Sequence, residues 1–410
     1  MPRLLLLLPA AGYANHDFIA AAARLNIELV ACADYCHQLA PGWGLPPLMS
    51  VPFDRPETAL PQVLRALTQP VDGVLAADDH GLVLAAQLRM ALKLPGNPPE
   101  AVATLTDKLR FRRLQQAIGL PHPMFVSILG DDTNAAASPG FPLVVKARRL
   151  NASRGVIRAD NEAQLARAMK QAQRIQARIQ RDAGELGLLV EQFIPGFEVA
   201  LDGVMANGEL QVLALFDKPD PLDGPFFEET IFVTPSRLPA ATQHHLADAV
   251  TRACVAAGLT EGMVHAEARI NDAGVWLLEI APRGIGGLCG RVLDATLGMT
   301  SAEIVLRHAV GLPLPAQAQA HAVAAGVMMV PIPLSGILQG VDGIDAARNV
   351  PHITGIEITA SAGQLVAPPP EGAGYLGFIF SRAATAQEAE YALRTAHAAL
   401  AVRIQPLVEP

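Results

Sequence analysis

The chain has 410 residues and a mass of 43.2 kDa, which at about 150 residues per domain corresponds to two to three domains. Hydrophobic residues make up 51% of the sequence and charged residues 17%. This composition excludes a disordered or polyelectrolyte chain. The 31 basic and 39 acidic residues give a net charge of −8, and no basic stretch stands out, so we expect no nucleic-acid partner.

The sequence predicts a cytoplasmic protein. Its four cysteines are too few and too scattered for a disulfide framework in so long a chain. The apolar run at 4–8 is short and is followed by Pro9, which favours a first buried strand over an export signal. No apolar run approaches the roughly 18 residues that a membrane-spanning helix needs, so we expect no membrane partner.

The first hundred residues alternate strands and helices. Continuously apolar strands are predicted at 3–8, 27–32 and 71–76, with helices at 17–25 and 81–92. This pattern indicates a parallel sheet covered on both faces. The turn after the first strand contains only one glycine, Gly12, so it does not match the glycine-rich motif of nicotinamide dehydrogenases.

Beyond a Pro- and Gly-rich stretch at 94–99, the pattern changes. Antiparallel strands mix with helices, and the turns at 207–208 and 272–274 indicate two hairpins. After 311–315, short strands and one helix predict a third, smaller unit. The predicted fold class is therefore α/β and α+β, with domains at 1–98, 99–315 and 316–410.

Two lysines and a turn have the character of a phosphate-binding site. Lys108 begins a helix, and Lys146 ends an apolar strand, where its ammonium group needs a polar partner. Taken alone, Lys146 is more simply explained as a surface residue. The turn at 151–156 contains Gly155, and its backbone N–H groups are suited to close over phosphates, although an ordinary hairpin turn would look the same.

The segment at 189–198 has the character of a base-binding edge. A strand that leads into an extended segment offers alternating N–H and C=O groups to an adenine. Glu198, at the start of the next strand, is placed to accept hydrogen bonds from both ribose hydroxyls. The alternative is that Glu191 and Glu198 are exposed charges of a hairpin.

The most specific feature is a pair of carboxylates on neighbouring strands. Glu267 and Glu279 would repel each other unless a cation lies between them. Mg²⁺ prefers oxygen ligands and commonly takes one or two carboxylates together with nucleotide phosphates. Arg283 follows, where a guanidinium group would bind a phosphoryl group. A salt bridge between Glu279 and Arg283 is the simpler alternative.

In this order and spacing, these features resemble the ATP-grasp superfamily. The resemblance rests on Asn97-Pro98-Pro99-Glu100, Thr106-Asp107-Lys108, Lys146, Ser153 to Val156, Glu191 to Glu198, His265-x-Glu267 and Glu279-x-x-Pro282-Arg283. It covers most of the chain and implies an N-terminal pre-ATP-grasp domain with a parallel sheet, a central two-part ATP-grasp domain and a small C-terminal α+β lid domain. The segments 216–230, 374–378 and 386–400 are similar to the L-amino-acid ligase (dipeptide synthase) branch.

The resemblance implies a role for each matching residue. Lys108 and Lys146 would contact the phosphates of ATP, and Arg283 would stabilise the transferred phosphoryl group, with Lys146 and Arg283 as the catalytic pair. Ser153, Arg154, Gly155 and Val156 would cover the phosphates; Glu191, Gln192, Phe193 and Ile194 would bind adenine; Glu198 would bind the ribose; Glu267 and Glu279 would hold one or two Mg²⁺ ions, for which Mn²⁺ would substitute.

One position departs from the superfamily pattern. Many members carry Asn between the second metal carboxylate and the Pro-Arg pair, where this chain has Ala281. One metal ligand is thereby lost, so that we expect a looser ion or a water molecule in its place.

The substrate residues are predicted from charge and space. Glu228 or Glu229 would hold a substrate ammonium and Arg291 a carboxylate, while Gly286 and Gly287 permit close approach. His265 is a candidate general base, but a packed histidine is the preferred interpretation.

The resemblance implies an ADP-forming ligase that joins a carboxylic acid to an amine, both small molecules of the amino-acid type, through an acyl phosphate. It also suggests a homodimer. Two alternatives stay open from the sequence: a carboxylase or formyltransferase of the biotin-carboxylase and purine-biosynthesis type, and a nucleotide-binding protein without catalysis.

Overall fold

A computed structural model describes residues 1–9, 12–34, 48–180, 185, 187–314 and 323–407. Its strands form two four-stranded sheets, one eight-stranded sheet and one three-stranded sheet. The predicted α/β and α+β fold, with a parallel sheet at the N-terminus, is confirmed. The predicted boundary at 315–316 lies outside the described residues. In the described parts of the chain, no helix has both the length and the apolar character needed to cross a lipid bilayer.

The N-terminal unit is a parallel sheet with helices on both faces. Its strands β1 to β4 are Arg3–Leu8, Glu28–Ala33, Met49–Ser50 and Gly73–Ala76, and its helices α1 to α3 are Asn15–Arg24, Pro56–Ala66 and Leu82–Leu92. The strand order is β3-β2-β1-β4, with every pair parallel. Leu5 and Leu7 of β1 pack into one apolar cluster, and Leu4, Leu6 and Leu8 pack into another. Burial on both faces explains the unbroken leucine run.

The second unit is a small antiparallel sheet. Helices α4 to α7 are Pro99–Leu105, Lys108–Ala117, Thr133–Ala136 and Glu162–Ile179. Strands β5 to β8 are Phe125–Ile128, Leu143–Ala147, Val156–Ala159 and Leu188–Gln192. The strand order is β5-β8-β6-β7. Helix α5 begins as predicted because the Asp107 side chain accepts hydrogen bonds from the N–H groups of Leu109 and Arg110.

The central unit carries the two predicted hairpins. Strands β9 to β13 are Phe197–Ala206, Glu209–Asp217, Ile231–Thr234, Gly262–Asn271 and Gly274–Ala281. Helices α8 to α10 are Ala240–Ala257, Val292–Leu297 and Ser301–Ala309. Asn207 and Gly208 both have positive φ, 51° and 82°, as the tight turn between β9 and β10 requires.

The C-terminal unit is continuous with the central sheet. Strands β14 to β19 are Ala324–Val330, Gly336–Asp342, Ile353–Ile358, Leu365–Val366, Gly377–Ala383 and Ala401–Pro406. Helices α11 and α12 are Ile344–Arg348 and Ala386–Ala398. Three of these strands extend the large sheet, in the order β13-β12-β9-β10-β11-β14-β18-β16. The C-terminal unit thereby joins the large sheet through β11, at the opposite end of the sheet from β12 and β13, which carry the predicted metal carboxylates.

Candidate functional site

The units enclose a cavity of about 1260 Å³. All the predicted site residues except Gly155 and Glu228 line it: Lys108, Lys146, Ser153, Arg154, Val156, Glu191, Gln192, Phe193, Ile194, Glu198, Glu229, His265, Glu267, Glu279, Arg283, Gly286, Gly287 and Arg291. Residues that are scattered over most of the sequence therefore meet in one place.

Lys146, at the end of β6, belongs to a buried ion-pair group. Its Nζ lies 2.5 Å from Oε1 of Glu191, and Arg112 donates to both oxygens of the same carboxylate at 2.8 and 3.1 Å. Burial alone would raise the pKa of Glu191, but Arg112 and Lys146 lower that pKa to about 2. The Glu191 carboxylate is therefore committed to Arg112 and Lys146, although the sequence assigned it to adenine.

Arg112 also connects this group to β13. Its Nη1 and Nη2 donate to the carbonyls of Leu277 at 3.3 Å and Leu278 at 2.9 Å, directly before Glu279. The sequence analysis missed Arg112, which is 1% exposed. Its only sequence signal is a position on the buried face of α5, shared with Leu109.

The turn between β6 and β7 is the predicted phosphate turn, and its arginine is its clearest feature for an anion. Ala152, Ser153 and Gly155 have positive φ of 51°, 54° and 65°, but the N–H groups of Arg154, Gly155 and Val156 already donate to backbone carbonyls. Nε of Arg154 is buried without a hydrogen-bond partner among the described residues, and an anionic oxygen would satisfy it. Nearby, Lys108 donates to the carbonyl of Leu150 at 2.6 Å.

Lys218, which follows β10, is surrounded by three carboxylates. Its Nζ lies 2.9 Å from Glu198 and 3.1 Å from Glu267, and it also pairs with Glu229. Oxygens of the three carboxylates lie within 4.8 Å of one another. This set of hard oxygen donors suits a divalent cation. Although burial opposes its charge, the carboxylates hold the pKa of Lys218 well above its usual range.

The two predicted metal carboxylates lie opposite each other. Glu267 of β12 pairs in register with Glu279 of β13, so that both side chains start from the same face of the sheet. Glu279 lies 3.7 Å from Nζ of Lys108, whereas Glu267 faces Lys218. Burial and the neighbouring Glu267 raise the pKa of Glu229 to about 8, so this group of acids is short of positive charge.

His265 orients Glu267. Its Nδ1 lies 2.7 Å from Oδ1 of the fully buried Asp202, and its Nε2 lies 3.4 Å from Oε1 of Glu267. Burial would lower the pKa of His265, but hydrogen bonds to these two carboxylates raise it to about 9. His265 is thus buried and held between two carboxylates.

Glu198, at the start of β9, is held from two sides. Arg269 donates to its Oε2 at 3.0 Å, while Lys218 donates to its Oε1. Arg269 also donates to the carbonyl of Ile194 at 2.8 Å and lies over the Phe193 ring, 4.8 Å from its centroid. The predicted ribose and adenine residues are therefore tied together by one guanidinium group.

Arg283 is fixed by a residue of the N-terminal unit. It donates two hydrogen bonds of 2.6 Å to Asp79, and its Nη1 donates to the carbonyl of Gly284 at 2.7 Å. Asn151, in the turn between β6 and β7, donates to the same Asp79 at 2.8 Å. Burial would raise the pKa of Asp79, but Arg283 lowers it to about 2. Asp79 follows β4, at the carboxyl edge of the parallel sheet, where ligand sites usually form.

Two family models match the chain. Residues 139–292 match an ATP-grasp domain, and residues 328–405 match the L-amino acid ligase C-terminal domain 2. The chain contains an ATP-grasp domain. It is followed by a C-terminal unit of the L-amino acid ligase type, and all the predicted cavity residues from Lys146 to Arg291 lie within the range matched by the ATP-grasp domain.

Known relatives of this ATP-grasp chain are ligases and synthases. The solved structure of an L-amino acid ligase from Bacillus licheniformis is 25% identical, has a TM-score of 0.85 and matches over 99% of both chains. Carnosine synthase 1 of Gallus gallus is 32% identical over 305 residues, which are 70% of this chain and 32% of that protein. A D-alanine–D-alanine ligase of Pseudomonas entomophila is 30% identical over 190 residues, which are 44% of this chain and 55% of that protein. The chain thus spans about a third to a half of the length of these two curated relatives.

The other end of the ATP-grasp cavity holds the predicted substrate residues. Arg291 pairs with both oxygens of Asp17 at 2.9 and 2.8 Å and with Glu357 at 2.5 Å. It therefore ties α1 to β16, and its charge is already neutralised, whereas the sequence assigned it to a substrate carboxylate. Glu228 lies off the cavity lining, and its Oε1 is buried without a partner in the described part of the chain.

Proposed function

We propose that the chain is an ATP-dependent carboxylate–amine ligase that joins two amino acids through an acyl phosphate and releases ADP and phosphate. The observation that carries this proposal is the meeting of Lys146, Glu267, Glu279 and Arg283 in the lining of one cavity. The proposal is also supported by the related proteins, whose names denote the ligation of amino acids.

The nucleotide would lie between the small antiparallel sheet and the large sheet. We assign the phosphates to Lys108, Lys146 and the turn formed by Ser153, Arg154, Gly155 and Val156. The Nε of Arg154, which has no hydrogen-bond partner among the described residues, supports this assignment. The adenine would contact Gln192, Phe193 and Ile194, and the ribose hydroxyls would donate to Glu198, whose carboxylate lines the same end of the cavity.

Glu267 and Glu279 would hold Mg²⁺, with Mn²⁺ as a substitute, because they face each other in register and bear oxygen ligands. When bound, the metal neutralises charge on the phosphates during transfer. Ala281 would contribute no ligand, so a water molecule would take that place. His265 would keep Glu267 turned toward the cation through its hydrogen bond.

Arg283 would stabilise the transferred phosphoryl group. An arginine has five N–H donors, and three of them bind Asp79 and Gly284, which leaves two for oxygens of the reacting groups. The substrate carboxylate would attack the γ-phosphate of ATP, breaking its bond to the β-bridging oxygen and releasing ADP. The amine would then attack the acyl carbon and release phosphate, forming the amide. The lysines and Arg283, which are held in position before the reaction, would stabilise the negative charge that develops on these oxygens.

Charge and available space would determine where the ammonium and the acyl group of the carboxylate donor bind. Glu229, which lines the cavity beside Glu267, would bind the ammonium of the carboxylate donor and would share its carboxylate between that group and Lys218, with which it is already paired. Gly286 and Gly287 would let the backbone approach the acyl group. Exclusion of water would protect the acyl phosphate from hydrolysis.

The test is release of ADP and phosphate from MgATP with pairs of amino acids, followed by mass spectrometry of the products. ADP release that needs both amino acids, with a new dipeptide mass, supports the ligase. A requirement for bicarbonate or formate instead would assign a carboxylase or formyltransferase. Nucleotide binding without turnover across the whole panel, also in an Ala281→Asn variant, would contradict catalysis altogether.

We further propose a cytoplasmic location and a homodimer, with domains at 1–98, 99–315 and 316–410. The low cysteine count supports the location. Cell fractionation tests the location, and light scattering of the purified chain tests the dimer.

A further inference from the structure

We propose that Arg89 binds a small oxyanion, a carboxylate or a phosphate, in a side branch of the cavity between the N-terminal and central units. The inference goes beyond the proposed function, because it concerns a binding site away from the reacting groups. The side branch is lined by residues to which the sequence analysis assigned no ligand: Gly73, Arg89, Gly96, Asn97, Glu261 and His308.

The side branch runs along the free edge of β4. This strand is the last of the parallel sheet, in the order β3-β2-β1-β4. Helix α10 lies across from it, since a Cβ atom on Gly73 would fall 2.8 Å from the carbonyl oxygen of Ala309. From the side branch, β4 leads over roughly 16 Å of extended chain to Asp79, the partner of Arg283. Arg89 and Asp79 both line the cavity, so the side branch opens toward the site that we propose for phosphoryl transfer.

The end wall of the side branch is fixed by Asn97. Its Oδ1 accepts hydrogen bonds from the N–H groups of Thr260 and Glu261 at 2.9 and 3.0 Å, and its Nδ2 donates to the carbonyl of Glu261 at 2.6 Å. The neighbouring Gly96 lies against Arg89, because a Cβ atom there would fall 2.7 Å from Cδ of the arginine. Glycine at this position therefore leaves the space that the arginine side chain occupies.

Arg89 carries a charge that no carboxylate neutralises in the described part of the chain. Its Nε donates to the carbonyl of Val74 at 2.6 Å, whereas its two terminal nitrogens have no hydrogen-bond partner among the described residues. Burial lowers the pKa of Arg89 to about 10, and no neighbouring acid among those residues opposes the shift. Three other arginines of the cavity lining each pair with a carboxylate: Arg269, Arg283 and Arg291.

The acidic residues of the side branch are already engaged elsewhere. Glu261 accepts a backbone hydrogen bond of 2.9 Å and lies 3.3 Å from Nε2 of His308. Asp72, also in the cavity lining, accepts from the backbone N–H of Arg3 at 2.7 Å. The terminal nitrogens of Arg89 are thus left for a ligand. A guanidinium group matches the paired oxygens of a carboxylate or phosphate, and a poorly hydrated charge gains most from such a partner.

The proposed reaction contains two oxyanions of this chemistry. Phosphate released at Arg283 would reach Arg89 along β4, and a free amino acid would bring its carboxylate. Bound phosphate would be a retained product, whereas a bound amino acid would be a ligand additional to the two that react. Only this choice of source rests on the proposed function; the binding of an anion by Arg89 does not.

The first experiment is a calorimetric titration of the whole chain, with the nucleotide end occupied by a saturating, non-hydrolysable analogue of MgATP. The probes are inorganic phosphate and glycine, and the variants are R89Q and R348Q. Arg348 is an exposed arginine that pairs with Asp345 and serves as the control. We expect R89Q to raise Kd for one of the probes by at least about tenfold, and R348Q to leave it unchanged.

The two probes distinguish the sources of the anion. Binding of phosphate that depends on Arg89 assigns a product site, and binding of glycine that depends on Arg89 assigns an amino-acid site. If neither probe binds, or if each binds R89Q and the unmodified chain with the same Kd, the inference is wrong. Because no turnover is measured, a failure of the proposed ligase function leaves this result unaffected.

A second variant and a crystal separate anion binding from a structural role of Arg89. R89K keeps the charge but loses the bond from Nε to Val74, so it should bind the probe more tightly than R89Q does. Equal loss of thermal stability in both variants, with unchanged probe binding, would assign a structural role only. If the variants do not fold, crystals of the unmodified chain soaked in selenate decide: an anomalous peak beside the Arg89 guanidinium supports the site, and no peak there contradicts it.

Discussion

The two ends of the cavity are built by different physical means. The nucleotide end is held by buried ion pairs, in which Lys146 and Arg112 share Glu191, and Lys218 is surrounded by three carboxylates. The substrate end is held by ring contacts and by hydrogen bonds between units, such as the one from Tyr375 to Tyr13.

The difference fits the ligands that we propose for each end. Phosphates and a divalent cation need dense charge, and charges inside a protein need fixed partners even without the ligand. An amino-acid side chain needs shape, which residues from several units supply together. The nucleotide end is therefore set within the large and small sheets, whereas the substrate end depends on how the N-terminal and C-terminal units meet.

Removal of Lys146 should produce the largest effect, and only at the nucleotide end. In Lys146→Met, Glu191 keeps its pair with Arg112, so the fold survives, but a phosphate ligand is lost. We expect kcat/KM for ATP to fall about 100- to 1,000-fold, measured by ADP release. Lys170→Met, an exposed lysine on α7, is the matched control. A fall of less than threefold for Lys146→Met would break the assignment.

The ion pair of Glu191 should make the free energy of unfolding depend on pH in the acid range. Its pKa lies near 2 in the folded chain, below the usual 4.5, so its contribution to stability is complete above about pH 5 and is lost as the pH falls toward 2. Between pH 6 and pH 3 this loss amounts to about 2 kcal/mol. Glu191→Gln should lower the free energy of unfolding at pH 6. Between pH 6 and pH 3, the free energy of unfolding of this variant should fall by about 2 kcal/mol less than that of the unmodified chain, measured by urea unfolding at each pH. Parallel pH profiles for the two proteins would count against the buried pair.

Asp79 links the two ends, and its neighbour Asp78 provides a control. Asp79→Asn removes the charged partner of Arg283 and loosens the Asn151 turn, so kcat should fall about 10- to 100-fold while KM for ATP changes less than about threefold. Asp78 pairs with His80 and does not contact Arg283, and Asp78→Asn should stay close to the unmodified chain. Equal losses in both variants would mean that Asp79 only stabilises the fold.

The smallest effect is expected at the substrate end. Tyr13→Phe removes the acceptor of the Tyr375 N–H, at a cost of about 1 kcal/mol, which corresponds to a roughly fivefold higher KM for the amino acid. KM for ATP should not change. Tyr391→Phe, a tyrosine that is 72% exposed, serves as the control. An increase in KM for ATP alone would remove the distinction between the two ends.

The sequence predicts the nucleotide end better than the substrate end. A charged residue in or at the end of an apolar strand, such as Glu267 or Lys146, is recognisable in the sequence because a buried charge needs a partner. Lys218 also follows an apolar strand, but the sequence indicated it only as part of the segment 216–230. Asp79 was not predicted, since its partner Arg283 is 204 residues away.

Long-range pairing also explains the remaining differences. The sequence indicates strands β14, β16 and β18, but nothing local reveals that they extend the central sheet through the pairing of β11 with β14. Arg291 reads as a free cation because Asp17 and Glu357 lie in other units. Such contacts are set by tertiary packing, which a single sequence does not display.

The most direct test of the central claim follows an oxygen atom. With a donor amino acid labelled by ¹⁸O in its carboxylate, activation as an acyl phosphate transfers one labelled oxygen to the phosphate released on amide formation. We expect one ¹⁸O per phosphate, dependent on the amine and accompanied by ADP. Unlabelled phosphate, or label found in AMP, would contradict the acyl-phosphate mechanism and with it the function proposed for this cavity.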